Sequence, residues 1–510
     1  MTVRMYRDIL GDCFLLRFPS GEGAVHVLID CGILQGMPGA RERANRIMAN
    51  IRSVTPRLDV LVATHEHVDH LSGFAQARDI FDTIAVDELW LAWTEDPRDE
   101  RANRLREGRK RAMALIENSY TALADLVTSP QASSEDREEE EDEDGPDALA
   151  GLRGLMAFSG IEPDTVSAAP DATTAGILEH LRGKATRVRF LRPGGNALPI
   201  AGVDNARTYV LGPPEEDALL RRSNPSKKGR EVYELKAHNL NDDVFLVAAL
   251  ATKGDQARTT DELARLRMSL PFGYRNLIAT DPKAIEIGAR EDAEVTAAFE
   301  ARYGNPDEGW RRVDLDWLGA AEQLALKLDS DTNNTSLALA FEIGDGPNGR
   351  VLLFPGDAQV GNWLSWGDHV WPPGKKRGED GATDVSTLLA RTILYKVGHH
   401  GSHNATLRER GLEMMTHPDL AAMIPVQQEF ANGTKNWNMP FPSLLTRLVA
   451  RSGGRVIRAD RSREDLVRYA AERAGQPGEL ASADWALFLS NLREISDADG
   501  PLALEYRIPV

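Results

Sequence analysis

The run His65-Glu66-His67-Val68-Asp69-His70 constrains this chain more than any other stretch. It follows Leu58 to Ala63 (LDVLVA), an apolar run with the length of a buried strand. It precedes Leu71-Ser72-Gly73, where a helix is expected to begin. Imidazole and carboxylate are the ligands that suit zinc and similar divalent ions. His65 and His67, two residues apart, can reach one ion from a loop, and Asp69 with His70 can hold a second. A lone histidine is more often a satisfied core residue. Three histidines and an aspartate within six residues, directly after a buried strand, point to metal instead.

The rest of the chain alternates in a way that suits such a site. Cys13 to Phe18 and Val25 to Ile29 read as strands around a Ser-Gly-Glu-Gly turn, and Arg41 to Arg52 has helical spacing. Further strands are expected at Thr186 to Leu191, Thr208 to Leu211, Ser336 to Ile343, Arg350 to Phe354 and Thr392 to Val397. Later ones are expected at Ala422 to Val426, Arg455 to Arg458 and Leu502 to Ile508. Strands mixed with helices in this order imply an α/β layered fold, with candidate site residues at strand ends. Residues 97–180 and 215–328 break the pattern and read as two helical insertions. The first has helical periodicity over 103–127 and then the acidic run EDREEEEDEDGPD at 135–147, expected to be a disordered loop. The organisation expected is therefore 1–96 as a first half, 97–180 as an insertion, 181–214 as core strands, 215–328 as a second insertion and 329–510 as a second half.

Charge limits the partners. The net charge is −18, and the acidic run alone supplies half of it, with ten acidic groups against one arginine. A polyanion would need a local basic groove. Arg101 to Arg111, Arg221 to Arg230 and Lys375-Lys376-Arg377 are permissive for one, although such clusters are usually solvated faces. Two cysteines, Cys13 and Cys31, make no disulfide framework. No apolar run is long enough to span a membrane or to serve as a signal-peptide core, so a cytoplasmic location without membrane insertion is expected.

Four motifs together resemble the metallo-β-lactamase superfamily. His65 to His70 fits its H-x-H-x-D-H signature in full. Leu28-Ile29-Asp30-Cys31-Gly32 is similar to its first motif, Leu353-Phe354-Pro355-Gly356-Asp357 to its later Gly-Asp motif, and Lys396 to Ser402 (KVGHHGS) to its last. Within the superfamily the chain looks closest to the soluble hydrolase domain of ComEC-type competence proteins and their stand-alone relatives. Gly11-Asp12-Cys13, Asn333-Asn334-Thr335-Ser336-Leu337 and the His-His-Gly-Ser carry that likeness.

The resemblance implies a four-layer αββα sandwich, here with helical insertions, and two divalent metal ions, zinc or manganese. Asp30 would brace the histidine loop, Asp357 would bridge the ions, and His399 or His400 would supply the last imidazole. One departure stands out. Asn333 occupies the place of the family's third histidine for the first ion, and no histidine occurs between 239 and 356. The first position, at His65 and His67, is then expected to be the weaker one, favouring a harder ion such as Mn²⁺. His238 is the other candidate for that ligand. His403 lies near the last motif, and Phe441-Pro442 stands where such relatives often have His-Pro.

The activity implied is hydrolysis by a metal-activated water, oriented by Asp69. Lys396, Ser402 and Asn404 are candidates to grip an anionic group. Competence-type likeness points to phosphodiester cleavage in DNA or RNA, and the stand-alone relatives suggest a bacterial defence effector. The alternatives are hydrolysis of a small ester, lactone or phosphodiester metabolite, and a scaffold whose metal site has decayed. The insertions offer surface for a protein partner.

Overall fold

A computed structural model of the chain describes residues 1–21, 23–128, 173–222, 292–303, 326–344, 349–435, 437–476 and 480–508, together with Met156. The acidic run at 135–147, His238 and most of the basic stretch 221–230 lie outside the described residues.

Seventeen strands occur among the described residues. They are β1 (Thr2–Tyr6), β2 (Phe14–Ser20), β3 (Gly23–Ile29), β4 (Arg57–Val62), β5 (Ala85–Ala92), β6 (Arg187–Leu191), β7 (Leu198–Ile200), β8 (Val203–Val210), β9 (Leu339–Ile343) and β10 (Arg350–Phe354). After these come β11 (Val370–Trp371), β12 (Thr383–Asp384), β13 (Thr392–Lys396), β14 (Ala421–Ile424), β15 (Val456–Arg458), β16 (Leu492–Asp497) and β17 (Gly500–Arg507). One sheet has the order β16-β17-β1-β2-β3-β4-β5-β6 and the other β15-β14-β13-β10-β9-β8-β7, with β11 and β12 as a separate small pair.

Each sheet has a parallel half and an antiparallel half. Strands β3 to β6 run parallel, as do β10, β13, β14 and β15. A parallel strand covered on both faces has little use for polar residues; β13 accordingly buries every position and β4 all but Arg57 and Asp59. The two sheets pack face to face through Phe14 and Phe18 of β2 against Phe354 and Phe341, with Phe14–Phe354 centroids 5.6 Å apart. Helices Ala40–Val54, Val68–Gln76 and Thr174–Lys184 cover the outer face of the first sheet through Ile47, Phe74 and Leu178. Helices Val360–Ser365, Val385–Ala390 and Pro442–Ser452 cover the second through Trp363, Leu388 and Leu448. This is the four-layer αββα sandwich.

The structure differs from the expected pattern in two respects. The helix after the histidine run starts at Val68, so Asp69 and His70 sit in its first turn rather than in a loop. β1, β5, β7, β11, β12 and β16 go beyond the expected strands. β5 (AVDELWLA) interrupts its apolar residues with Asp87 and Glu88, and Glu88 pairs with Arg187 and Arg189 of β6. The helix Glu100–Thr128 realises the expected periodicity over 103–127. Among the described residues, no helix is long and apolar enough to cross a membrane.

Candidate metal centre

Both sheets bring strand ends to one place. β3 ends at Asp30, β4 leads into His65, β10 into Asp357 and β13 into His399 and His400. The backbone of the first half is knitted closely there. Cys31 N donates to His70 O at 2.9 Å, Asp12 N to Asp69 O at 2.9 Å and Gly73 N to Cys31 O at 2.9 Å. Gly32 makes this approach possible: a Cβ on it would lie 2.0 Å from the carbonyl carbon of Asp69. The second half is joined to it by Leu337 N donating to Thr64 O at 2.9 Å.

Asp30 is held in a left-handed conformation, φ 54°. Its carboxylate accepts from Thr64 N at 2.8 Å and Thr64 Oγ1 at 2.7 Å, and it lies 2.7 Å from His70 Nδ1. It therefore braces the histidine loop, the role the resemblance implied. A carboxylate against Nδ1 fixes the proton there and leaves Nε2 as the donor to a metal. His70 Nε2 then faces Asp357 Oδ2 at 3.1 Å and Asp69 Oδ2 at 3.7 Å.

His400 is arranged in the same way. Its Nδ1 is 2.6 Å from the carbonyl oxygen of Pro425, which can only accept, so Nδ1 carries the proton. Its Nε2 faces Asp69 Oδ2 at 2.9 Å. Asp69, His70, Asp357 and His400, all buried, have ligand atoms within 4.8 Å of one another. With both Nδ1 atoms protonated, these imidazoles turn lone pairs toward carboxylate oxygens. Such acceptor pairs repel unless a metal ion lies among them or the rings take up a second proton. Among the described residues, Asp69 Oδ1 and Asp357 Oδ2 are also closed off from solvent without a hydrogen bond. The donor set thus fits a divalent ion. Without one, burial lowers the His70 pKa, but Asp357, Asp69, Asp12 and Asp30 together hold it well above the usual histidine range.

The structure separates His399 from His400. Both have positive φ, 44° and 52°, a costly conformation for residues with side chains. His400 enters the metal group, while the backbone N–H of His399 donates to Asp357 Oδ1 at 2.9 Å. Burial pushes the His399 pKa down to about 4.

At the other end, His65 Nε2 and His67 Nδ1 lie 3.0 Å apart. His65 Nδ1 is 3.1 Å from Thr64 Oγ1, whose own proton goes to Asp30, so Nε2 is again the free donor atom. Burial pushes both rings toward the neutral form, His67 down to about 3. Neither joins a group of three or more metal-binding side chains among the described residues. Asn333 is fully buried, with Nδ2 donating to Asp329 Oδ2 at 3.1 Å. Asp329 is a site residue that sequence reasoning missed. It stands 3.7 Å from His67 Nε2, and burial beside Asp69 and Asp357 raises its pKa well above the carboxylate range. Its one signal was its place four residues before Asn333, which a helix over 326–333 converts into proximity.

Lys396 requires a correction. It was expected to grip an anionic substrate, but it is buried at the end of β13. Its ammonium donates to Gly356 O at 2.9 Å and Asp357 Oδ1 at 3.1 Å, and it pairs with Asp12. All three protons are committed within the protein. Asp12, known beforehand only as part of a motif, is pushed up to about 6 by burial, against the pull of Lys396 and His70. Ser402 is buried and donates to Asn404 Oδ1 at 3.2 Å. Asn334 holds the Gln359 and Asn362 N–H groups, each at 3.2 Å, and is structural.

Several residues of the first and third basic clusters are engaged internally. Arg101 pairs with Asp217 at 2.7 Å, and Arg109 with Glu66 at 3.2 Å and Glu95 at 3.0 Å. Arg111 pairs with Glu107 at 3.5 Å, Lys375 with Glu379 at 2.8 Å and Arg377 with Asp384 at 3.1 Å.

Residues 7–155 match the model of the metallo-beta-lactamase superfamily, a span that includes Asp30 and the whole of His65 to His70. Comparison with curated proteins gives no match, and neither does comparison with solved structures.

Proposed function

We propose that the metallo-β-lactamase superfamily domain carried by this chain works as a metal-dependent phosphodiesterase, with nucleic acid as its substrate. Metal-dependent hydrolysis is supported by the family match over residues 7–155 and by the metal-binding group Asp69, His70, Asp357 and His400. That group is the observation that carries the reading. Four buried side chains from both sheets bring ligand atoms within 4.8 Å of one another.

His65 and His67, with Asn333 as an oxygen donor, would hold a first ion. Asp69, His70 and His400 would hold a second, and Asp357 would bridge. Bound ions would polarise the scissile group and bring the pKa of a water toward neutrality. The chain's own residues prepare that site. Asp30 and Pro425 fix the tautomers of His70 and His400. Lys396 and the His399 N–H hold one oxygen of Asp357 and leave the other facing His70. Asp69 would orient the attacking water. The phosphodiester assignment is supported by the competence-type motifs Gly11-Asp12-Cys13 and Asn333 to Leu337.

A second reading, a small ester or phosphodiester metabolite as substrate, is favoured by the internal pairing of Arg101, Arg109, Arg111, Lys375 and Arg377. Paired cations contribute less to a polyanion groove. One experiment separates the readings. The protein is incubated with Mn²⁺ or Zn²⁺ and single- and double-stranded DNA and RNA, alongside bis-p-nitrophenyl phosphate and a lactone panel. His67→Ala and Asp357→Ala serve as controls. Polymer cleavage lost in both variants supports the nuclease. Cleavage of the small diester or a lactone alone moves the assignment to the second reading. No hydrolysis with any substrate removes both.

A further inference from the structure

The geometry points to Asp329 as the positioning carboxylate of the first metal position, bracing His67 and Asn333 from behind. This rests on the reading that His65, His67 and Asn333 hold an ion.

The helix over 326–333 lies on the side of the site that the second half of the chain supplies, and Asp329 and Asn333 are one turn apart on it. A carboxylate oxygen accepts, so the Asn333 atom 3.1 Å from Asp329 Oδ2 is the amide nitrogen. That contact fixes the rotation of the amide. It leaves Asn333 Oδ1, on a fully buried residue, without a hydrogen-bond partner among the described residues. A carboxamide oxygen free of other bonds is the atom a hard cation takes.

The other oxygen of the same carboxylate serves the histidine. His67 Nδ1 is the atom beside His65 Nε2, so His67 turns its Nε2 toward the outside of the pair. Asp329 Oδ1 lies 3.7 Å from that Nε2 and is itself closed off from solvent without a hydrogen bond. A small rotation of the imidazole on ion binding would close the contact. Metal-bound imidazoles commonly donate their second N–H to a carboxylate, which fixes the tautomer and raises the basicity of the ligating nitrogen. One side chain thus addresses both ligands. Ionised by a bound cation, the carboxylate would also supply negative charge where position 333 offers an amide oxygen in place of an imidazole.

The test uses Co²⁺ titration of the full chain, followed by d–d absorption and equilibrium dialysis. His67→Ala identifies which binding step belongs to the first position, and His400→Ala identifies the other. Asp329→Ala is expected to weaken the step lost in His67→Ala by about tenfold or more. The step lost in His400→Ala should be unchanged. At saturating Co²⁺ the band shape should match the wild type, because the ligand set is intact. Asp329→Glu should recover most of the affinity. Unfolding in EDTA checks the fold of each variant, and Asp329→Asn, nearly isosteric, is used if the alanine variant does not fold. Unchanged affinity at the first position overturns the assignment. An altered band at saturation does so too, since Asp329 would then be a ligand itself. A wild-type chain that binds no Co²⁺ removes the metal-centre reading, a result distinct from either.

Discussion

Lys396 Nζ lies 3.1 Å from Asp357 Oδ1 while the His399 N–H donates to the same oxygen at 2.9 Å, so one face of Asp357 is fully occupied and the other is left for His70 and an ion. Lys396 is a buried countercharge shared by Asp357 and Asp12. Replacing it with methionine preserves most of the volume but strands two carboxylates in the interior. Lys396→Met is expected to cost about 3–5 kcal/mol of stability, measured by urea unfolding in EDTA. Unchanged stability combined with a raised KM alone would instead restore the substrate-gripping role.

Removing metal should loosen the protein. An ion held by Asp69, His70, Asp357 and His400 binds the folded state and contributes about 2.7 kcal/mol at about 100 times its Kd. The unfolding midpoint should fall on addition of EDTA and recover with excess Mn²⁺ or Zn²⁺. His400→Ala should abolish most of this shift. A wild-type midpoint indifferent to EDTA after exhaustive dialysis would count against the site.

Two glycines give a paired prediction. Gly32→Ala would place a Cβ 2.0 Å from the backbone of Asp69, and backbone cannot step aside as a flexible side chain can. It is expected to abolish soluble expression or to destabilise the protein by more than about 4 kcal/mol. Gly108, within the helix Glu100–Thr128, has nothing within 4 Å of a built Cβ. Gly108→Ala is expected to be stabilising by up to about 1 kcal/mol. Thermal unfolding of the two variants side by side checks both.

Much of this was legible because the motifs that resemble those of the superfamily are contiguous and follow strands whose apolar runs announce them. His65 to His70 stood out from local pattern, while Asp30 and Asp357 were reached through the resemblance of their motifs. What escaped depends on contacts across the sandwich. Nothing local distinguishes His399 from His400; the Pro425 carbonyl that fixes the His400 tautomer comes from another loop. Lys396 follows an apolar strand and could equally have faced solvent, until Asp12 is seen to arrive from the first half. Asp329 is one of several polar residues in Asp-Ser-Asp-Thr-Asn-Asn, selected only by the helix that carries it. The arginines of 101–111 looked like a basic face because their partners, Glu66, Glu95 and Asp217, come from elsewhere in the chain.

Arg109 gives the last prediction. It is an insertion residue that pairs with Glu66, the residue between His65 and His67, and with Glu95. Arg109→Met should destabilise the protein by about 3 kcal/mol, because largely buried Glu66 loses its partner and Glu95 keeps only the longer contact to Arg182. The double variant with Glu66→Gln should lose less than the sum of the two single changes. Additive losses in urea unfolding would show that the pair is not coupled.

Asp69 and His400 are separated by 331 positions, yet their side chains meet at 2.9 Å. A chain emerging from the ribosome therefore displays His65, His67, Asp69 and His70 long before Asp357 and His400 exist. Any ion caught early is held by half a cage and readily exchanged. Secure capture would come only when the last strands have docked, so a metal kept by the finished protein would be chosen by the completed fold and not by the first encounter.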